Sequence, residues 1–109
     1  MLAEFIRSYA DAPEVRAQLA TLALSNLQQS RATIEQLPIS GFEHAAAAAH
    51  TIANSLAVLK LPELARHMNR IEQTARSAEL AQLRQYYDTI GPELDAVALA
   101  LEQLTTQAG

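Results

Sequence analysis

The segment LAQLRQYYDTIGPELDAVALALEQL, residues 80–104, has the most regular apolar pattern in the chain. Its apolar residues follow one another at steps of three and four: Leu80, Leu83, Tyr87, Ile90, Leu94, Val97, Leu101 and Leu104. This spacing places them on one face of an α-helix. Gly91-Pro92 lies in the middle of the segment, where proline normally breaks or kinks a helix. Because the apolar face stays in register on both sides of Pro92, the pattern predicts one kinked helix rather than two helices and a loop.

The chain before this segment predicts four more helices. They are expected at residues 2–9, from about 13 to 36, from 42 to near 60, and from 62 to shortly before Ser77. Their apolar faces also need to be buried, which favours a shared core over a dimeric coiled coil that uses residues 80–104 alone. The sequence therefore predicts an all-α fold, an antiparallel up-and-down four-helix bundle with a short extra N-terminal helix, as a single domain over residues 1–109.

Short motifs indicate where the helices begin. Asp11-Ala12-Pro13-Glu14 is typical of a helix start, with an acidic cap and a proline in the first turn. Ser40-Gly41-Phe42-Glu43 reads as a capping box, and Pro62 fits the first turn of the next helix. Ser77 is the predicted cap of the last helix. The apolar stripe predicted for the second helix consists of Val15, Leu19, Leu22 or Ala23, Leu27, Ile34 and Leu37.

Composition and charge narrow the classes of function. Half of the 109 residues are hydrophobic, and the chain has no cysteine, which fits a reducing compartment. The formal net charge is -4 and no basic cluster is present, so nucleic acid is a poor candidate partner. The N-terminus lacks the apolar core of a signal peptide, and the run of five alanines is far shorter than the ~20 apolar residues that span a bilayer. We therefore expect a cytoplasmic protein that does not insert into a membrane.

His50 is the candidate reactive residue. On a helix of about 100° per residue, it lies roughly 140° from the centre of the apolar face of its helix. That face is formed by Phe42, Ala45, Ala49, Ile52, Leu56 and Leu59. The neighbours of His50 at helical spacing, which we expect to form a docking surface for a partner, are Ala46, Ala47, Ala53, Asn54 and Ala57. Such short side chains leave the imidazole accessible to another protein's active site, although the same pattern suits an ordinary solvated histidine.

Other chemistries find little support in the sequence. No cysteine is available as a thiolate nucleophile, and no glycine-rich loop is present to bind phosphates. His44 and His50 are six residues apart, which puts them about 120° apart around one helix. Glu63 precedes His67 by four residues, whereas di-iron sites in helical bundles use Glu-x-x-His pairs. We therefore predict no metal site, and interpret His67 as a structural residue at the boundary of the core.

Glu72 is predicted to lie level with His50. The third and fourth helices should form an antiparallel hairpin that turns near Lys60-Leu61. His50 is ten residues before Lys60 and Glu72 is eleven after Leu61, so both lie at the same height. A carboxylate there would accept a hydrogen bond from Nδ1–H, which fixes the tautomer that leaves Nε2 as a free nucleophile. Glu72 would equally suit a solvated position or an ion pair with Arg76, four residues on.

The segment from Ala49 to Glu72 resembles the histidine-containing phosphotransfer (HPt) domains of bacterial phosphorelays. The core pattern of that family is roughly Ala-His-x-Leu-Lys-Gly-Ser-x-x-x-Leu-Gly, followed by spaced leucines and a Leu-Glu pair. The positions that match it are Ala49, His50, Ile52, Ser55, Leu59, Leu64 and Ile71-Glu72. Three positions depart from it: Ala53 and Asn54 replace the lysine and the first glycine, and Lys60 replaces the second glycine.

The resemblance implies a phosphocarrier without kinase activity of its own. His50 would accept a phosphoryl group from a receiver aspartate, or from a sensor histidine kinase, and pass it to another response-regulator receiver. Glu72 would be the acidic partner of the histidine. Mg²⁺ is then expected on the receiver and no cofactor on this chain. In the family the lysine adds positive potential beside the phosphoryl group. Ala53 and Asn54 therefore leave open a second interpretation, a non-catalytic HPt-like binding module that docks a receiver or kinase without turnover.

Overall fold

The secondary structure of the chain is helical throughout. The computed structural model describes residues 1–108, with side chains for residues 1–106. Within these residues there is no strand, and the five helices are α1 (Ala3–Ser8), α2 (Pro13–Glu35), α3 (Phe42–Val58), α4 (Pro62–Arg76) and α5 (Leu80–Ala108). The all-α prediction is confirmed, and each helix lies close to its predicted position. No helix of the described residues is long and apolar enough to cross a membrane.

Helix α5 continues unbroken through Pro92, so the single helix predicted from the apolar stripe is confirmed. A proline leaves the carbonyl group four residues earlier without its helical partner, here that of Asp88. Pro92 and Asp88 are both exposed, so water can satisfy this carbonyl group. On the opposite side, Leu94, Val97 and Leu101 are fully buried. Helix α5 packs against α2 and α4, and α3 packs against the same two helices.

The apolar stripe predicted for α2 is partly wrong. Val15 is exposed, and of the two alternatives Leu22 and Ala23 it is Ala23 that is buried. The positions that α2 buries are Ala20, Ala23, Leu27, Ser30 and Ile34. These positions also follow steps of three and four, but three of them are small. The error arose because large apolar residues were used to locate the stripe, whereas small residues occupy much of the contact with the neighbouring helices.

The predicted N-terminal caps of α2 and α3 are also wrong. Helix α2 begins after Ala12, and no side chain caps it, so Asp11 does not act as its cap. Helix α3 begins after Gly41, which has a φ of 89° and again no side-chain cap. The Ser40 hydroxyl instead donates a hydrogen bond of 2.7 Å to the carbonyl oxygen of Thr33 near the end of α2. Ser40 therefore fastens the connecting loop to α2 rather than starting α3.

Helices α3 and α4 end in the same way, each with a non-glycine residue in the left-handed conformation. Lys60 has a φ of 63° and Ala78 a φ of 56°. After α3, the N–H of Leu61 reaches the carbonyl oxygen of Leu56 at 3.0 Å, which is the Schellman arrangement. The turn after α4 repeats it, so Ser77 ends α4 and is not the cap of α5 as predicted. These turns fix how α3 meets α4 and how α4 meets α5.

Replacing Lys60 with glycine should stabilise the protein. The left-handed conformation costs an L-residue about 1–2 kcal/mol, and glycine avoids this cost. Glycine also has more conformational freedom in the unfolded chain, which opposes part of the gain in stability. Lys60→Gly should therefore raise the free energy of unfolding by about 0.5–1 kcal/mol. Chemical denaturation measures this change. The matched control is Ala47→Gly, at an exposed position inside α3, which should lower stability by about 1 kcal/mol. Equal destabilisation by both variants would contradict the turn geometry.

Candidate functional site

His50 lies on the outer side of α3. Its side chain is 58% exposed. Ala47, Asn54 and Ala57, which lie within two turns of it along the same side, are exposed as well. Together with His50 they form a narrow exposed strip along α3. The imidazole can therefore be approached along this strip without displacing a large neighbouring side chain.

Two of the five predicted docking residues lie elsewhere. Ala46 is 1% exposed and Ala53 is 4% exposed, and both belong to the core. The prediction that their side chains flank His50 on an open surface is therefore wrong. The physical reason is that α3 is covered on two sides, by α2 and by α4, so its buried arc is wider than one apolar face. Only Ala47, Asn54 and Ala57 of the predicted set remain accessible to a partner.

The structure brings Glu72 of α4 beside His50, as the predicted register of the two helices requires. Nδ1 of His50 and Oε1 of Glu72 are 3.1 Å apart. The Glu72 side chain is only 15% exposed, so its carboxylate is held in the cleft between the helices. An ionised carboxylate can only accept hydrogen bonds, so this contact favours the proton on Nδ1. The lone pair of Nε2 is then free at the exposed end of the ring.

Arg76 binds the other oxygen of the same carboxylate. Its Nε and Nη2 atoms lie 3.2 Å and 2.7 Å from Oε2 of Glu72. The two interactions considered for Glu72 from the sequence, with His50 and with Arg76, are thus present together. Burial by itself raises the pKa of the Glu72 carboxyl, but the hydrogen bonds from Arg76 and His50 outweigh it, and the pKa lies below its ordinary value. The carboxylate is therefore ionised at neutral pH.

The other two histidines lie outside this arrangement. His44 and His67 are exposed, so His67 does not have the boundary position predicted for it. His67 shares the outer side of α4 with Arg66 and Arg70, beside Glu63. No group of three or more potential ligands among the described residues could hold a metal ion.

The structure contains one surface feature near His50 that was not predicted from the sequence. A groove of about 260 Å³ runs between α2 and α3. Leu19 and Leu22 line it from α2, and Asn54 and Val58 line it from α3. The prediction leaves Leu22 and Ala23 as alternatives, but the step of four residues from Ala23 to Leu27 favours Ala23 for the core and leaves Leu22 outside it. The exposed strip that holds His50 therefore borders an apolar groove at Asn54.

Comparisons with protein-family models, with curated proteins and with solved structures found no match. The chemistry of the site is therefore inferred from its own residues. An imidazole with a hydrogen-bonded Nδ1 and an exposed Nε2 is suited to nucleophilic attack on an electrophile brought by a partner. The exposed position favours a reaction completed by a second protein over one enclosed in a pocket.

Replacing Glu72 with glutamine should destabilise the protein by about 1 kcal/mol at neutral pH, because a partly buried, charge-assisted set of hydrogen bonds is weakened. A lowered folded-state pKa stabilises the fold above the unfolded-state pKa, about 4.3, and this contribution disappears as the pH falls through the folded-state value. The deficit of Glu72→Gln should therefore shrink on acidification, which thermal unfolding at several pH values measures.

The control for this prediction is Glu63→Gln. Glu63 is on the same helix and exposed, and it lies 4.0 Å from its arginine partner, Arg66. Because Glu63 lies in the first turn of α4, its charge interacts weakly with the helix dipole, and its replacement should cost about 0.3 kcal/mol, less than that of Glu72. A deficit of Glu72→Gln that is independent of pH would show that the carboxylate charge is not the source of the stability.

Proposed function

We propose that this protein is a phosphorelay phosphocarrier of the HPt type, with His50 as the phosphoacceptor. One observation carries the proposal: an exposed imidazole whose Nδ1 lies 3.1 Å from a partly buried carboxylate. A solvated histidine of no function needs no such partner. The resemblance of residues 49–72 to the HPt pattern, which includes both members of this pair, supports the same interpretation.

The packing of the helices is consistent with the fold of such a carrier. We propose that α2, α3, α4 and α5 form an antiparallel up-and-down four-helix bundle to which α1 is added. Each of α3 and α5 packs against both α2 and α4, which is the closed set of contacts that four neighbouring helices make around one core. In this arrangement two helices support α3 from behind while its outer strip stays free for a partner.

The proposed transfer needs few groups from this chain. The Nε2 lone pair attacks the phosphorus of a receiver's aspartyl phosphate, an N–P bond forms, and the acyl-phosphate P–O bond breaks with its electrons leaving on the aspartate. Nδ1 keeps its proton, so positive charge develops on the ring, and the Glu72 carboxylate offsets it. Transfer to a second receiver reverses these steps. The receiver supplies Mg²⁺ and the acidic pocket that aligns the phosphoryl group.

A specific observation favours a second candidate function, an HPt-like module that docks a receiver or kinase without turnover. Ala53 occupies the position of the family's lysine, is 4% exposed and carries no charge. The electrostatic attraction that this lysine supplies is thus missing three residues from His50. Both candidates imply cytoplasmic partners, either response-regulator receivers or a sensor histidine kinase.

Incubation with receiver domains that carry a radiolabelled phosphoryl group tests the proposal. Label should move to this protein as an acid-labile, base-stable phosphohistidine. His50→Gln should abolish labelling while far-UV circular dichroism stays unchanged, because the replaced side chain is exposed. The matched controls His44→Gln and His67→Gln change histidines that are also exposed and should keep full labelling.

Any other outcome of this experiment would contradict part of the proposal. Loss of label in His44→Gln or His67→Gln, but not in His50→Gln, would move the site to another histidine. Saturable binding of a receiver without transfer of label would favour the docking module. Neither binding nor labelling with any receiver would contradict both candidates.

A further inference from the structure

Arg76 completes a chain of three side chains that ends at His50. Both of its contacts, at 3.2 Å and 2.7 Å, go to Oε2 of Glu72, while Oε1 of the same carboxylate faces Nδ1 of His50. We infer that Arg76 is a positioning residue, which acts through Glu72 to hold His50 in the tautomer with a free Nε2. The inference deepens the proposed function and rests on it for its biological meaning, although the tautomer can be measured without any partner.

The first step is that Glu72 needs a second partner to keep its orientation. A glutamate side chain has several rotatable bonds, and a single hydrogen bond to a mobile, exposed ring does not fix them. The carboxylate is also largely withdrawn from water, which is unfavourable for a charge unless it is paired. The two donors of Arg76 meet both needs, because they neutralise the charge and hold one oxygen from a fixed direction.

The second step is that Arg76 leaves the other oxygen available. Because both of its nitrogens contact Oε2, Oε1 keeps its acceptor capacity for Nδ1–H of His50. A carboxylate that swung out to pair elsewhere would release the ring. The imidazole would then be free to carry its proton on Nε2, where no lone pair remains for attack.

The third step concerns charge. An isolated carboxylate beside an imidazole favours the doubly protonated ring, which cannot act as a nucleophile. Arg76 offsets part of the negative charge of Glu72 before the reaction, while the hydrogen bond to Nδ1 is kept. The pair Glu72–Arg76 therefore orients the ring while placing less net negative charge beside it than Glu72 alone would.

The other arginines of α4 have different partners. Arg66 lies 4.0 Å from Glu63, and the guanidinium of Arg70 lies 5.3 Å from the centre of the Tyr86 ring. Arg76 is also exposed, so its replacement removes contacts at the surface rather than in the core. Arg66→Gln is therefore a matched control, with the same change on the same helix.

Nitrogen NMR of the isotope-labelled protein, at a pH where the imidazole is neutral, reports the tautomer of His50 directly. The wild type should carry the proton on Nδ1, and Arg76→Gln should shift the population towards Nε2–H.

Diethyl pyrocarbonate, which acylates unprotonated imidazole nitrogens, gives an independent measure. Its reaction with His50, referred to His44 and His67 in the same molecule, should slow about two- to threefold in Arg76→Gln. Arg76→Lys keeps the positive charge but lacks the planar set of N–H donors of a guanidinium group. Its tautomer population and acylation rate should therefore lie between those of the wild type and of Arg76→Gln.

Two results would overturn the inference: an unchanged tautomer and acylation rate in Arg76→Gln, or an equal change in Arg66→Gln. Failure of the inference and failure of the proposed function are distinguishable. A tautomer shift in a protein that no receiver labels would contradict the phosphocarrier and leave the positioning role intact. Normal labelling with an unchanged tautomer would contradict only the role of Arg76.

Discussion

The close packing of α3 between two other helices is the constraint on which the rest of the structure depends. Its buried residues include Ala45, Ala46, Ala48, Ala49 and Ala53. Alanine side chains let neighbouring backbones approach closely, and each further methyl group in such a contact would force the helices apart or strain their side chains. Because α2 and α4 cover α3 so closely, only a narrow strip of it reaches the surface, and His50 lies on that strip. The same packing brings the α4 carboxylate within hydrogen-bond reach of the ring.

The turn between α3 and α4 sets the register of this contact. His50 and Glu72 are each separated from the turn by about three helical turns, or about 15 Å at the rise of an α-helix. A shift of one residue along either helix would rotate a side chain by about 100° and separate the pair. The Schellman turn at Lys60 therefore matters to the site although it lies far from it. Lys60 adopts the left-handed conformation that this turn requires, although glycine is the residue that usually occupies such a position.

Much of the fold follows from the sequence because the physical signals are local and strong. The stripe of α5 stays in register across Pro92, so one helix is the simplest solution, and counting residues from Lys60 is enough to bring His50 level with Glu72. The burial of Ala46 and Ala53 was missed because one apolar face was expected on α3, whereas its two neighbouring helices cover a wider arc. The sequence left Leu22 and Ala23 as alternatives, and the exposure of Leu22 shows that the small residue takes the core position. From the sequence, Arg76 could be recognised only as an ion-pair partner of Glu72. That Arg76 and His50 contact different oxygens of the same carboxylate is seen only in the structure.

A second polar network, between α2 and α5, shows by contrast why the α3–α4 pair is the candidate site. Arg31 donates a hydrogen bond of 2.9 Å to the Tyr87 hydroxyl and forms an ion pair of 2.6 Å with Asp95. The Tyr87 hydroxyl donates in turn to Glu35. Burial, and to a lesser degree the hydrogen bond to Glu35, raises the pKa of the Tyr87 hydroxyl above its ordinary value. The hydroxyl therefore stays protonated.

The difference between the two networks lies in where each of them ends. In the α2–α5 network the hydroxyl of Tyr87 is enclosed, donates to one protein group and accepts from another, so both of its interactions stay within the protein. In the α3–α4 network the chain from Arg76 through Glu72 ends at Nε2 of His50, in water. Both networks join two helices, and hydrogen bonds of this kind contribute to stability wherever they occur. Only the second also orients an exposed imidazole, which stability alone does not require.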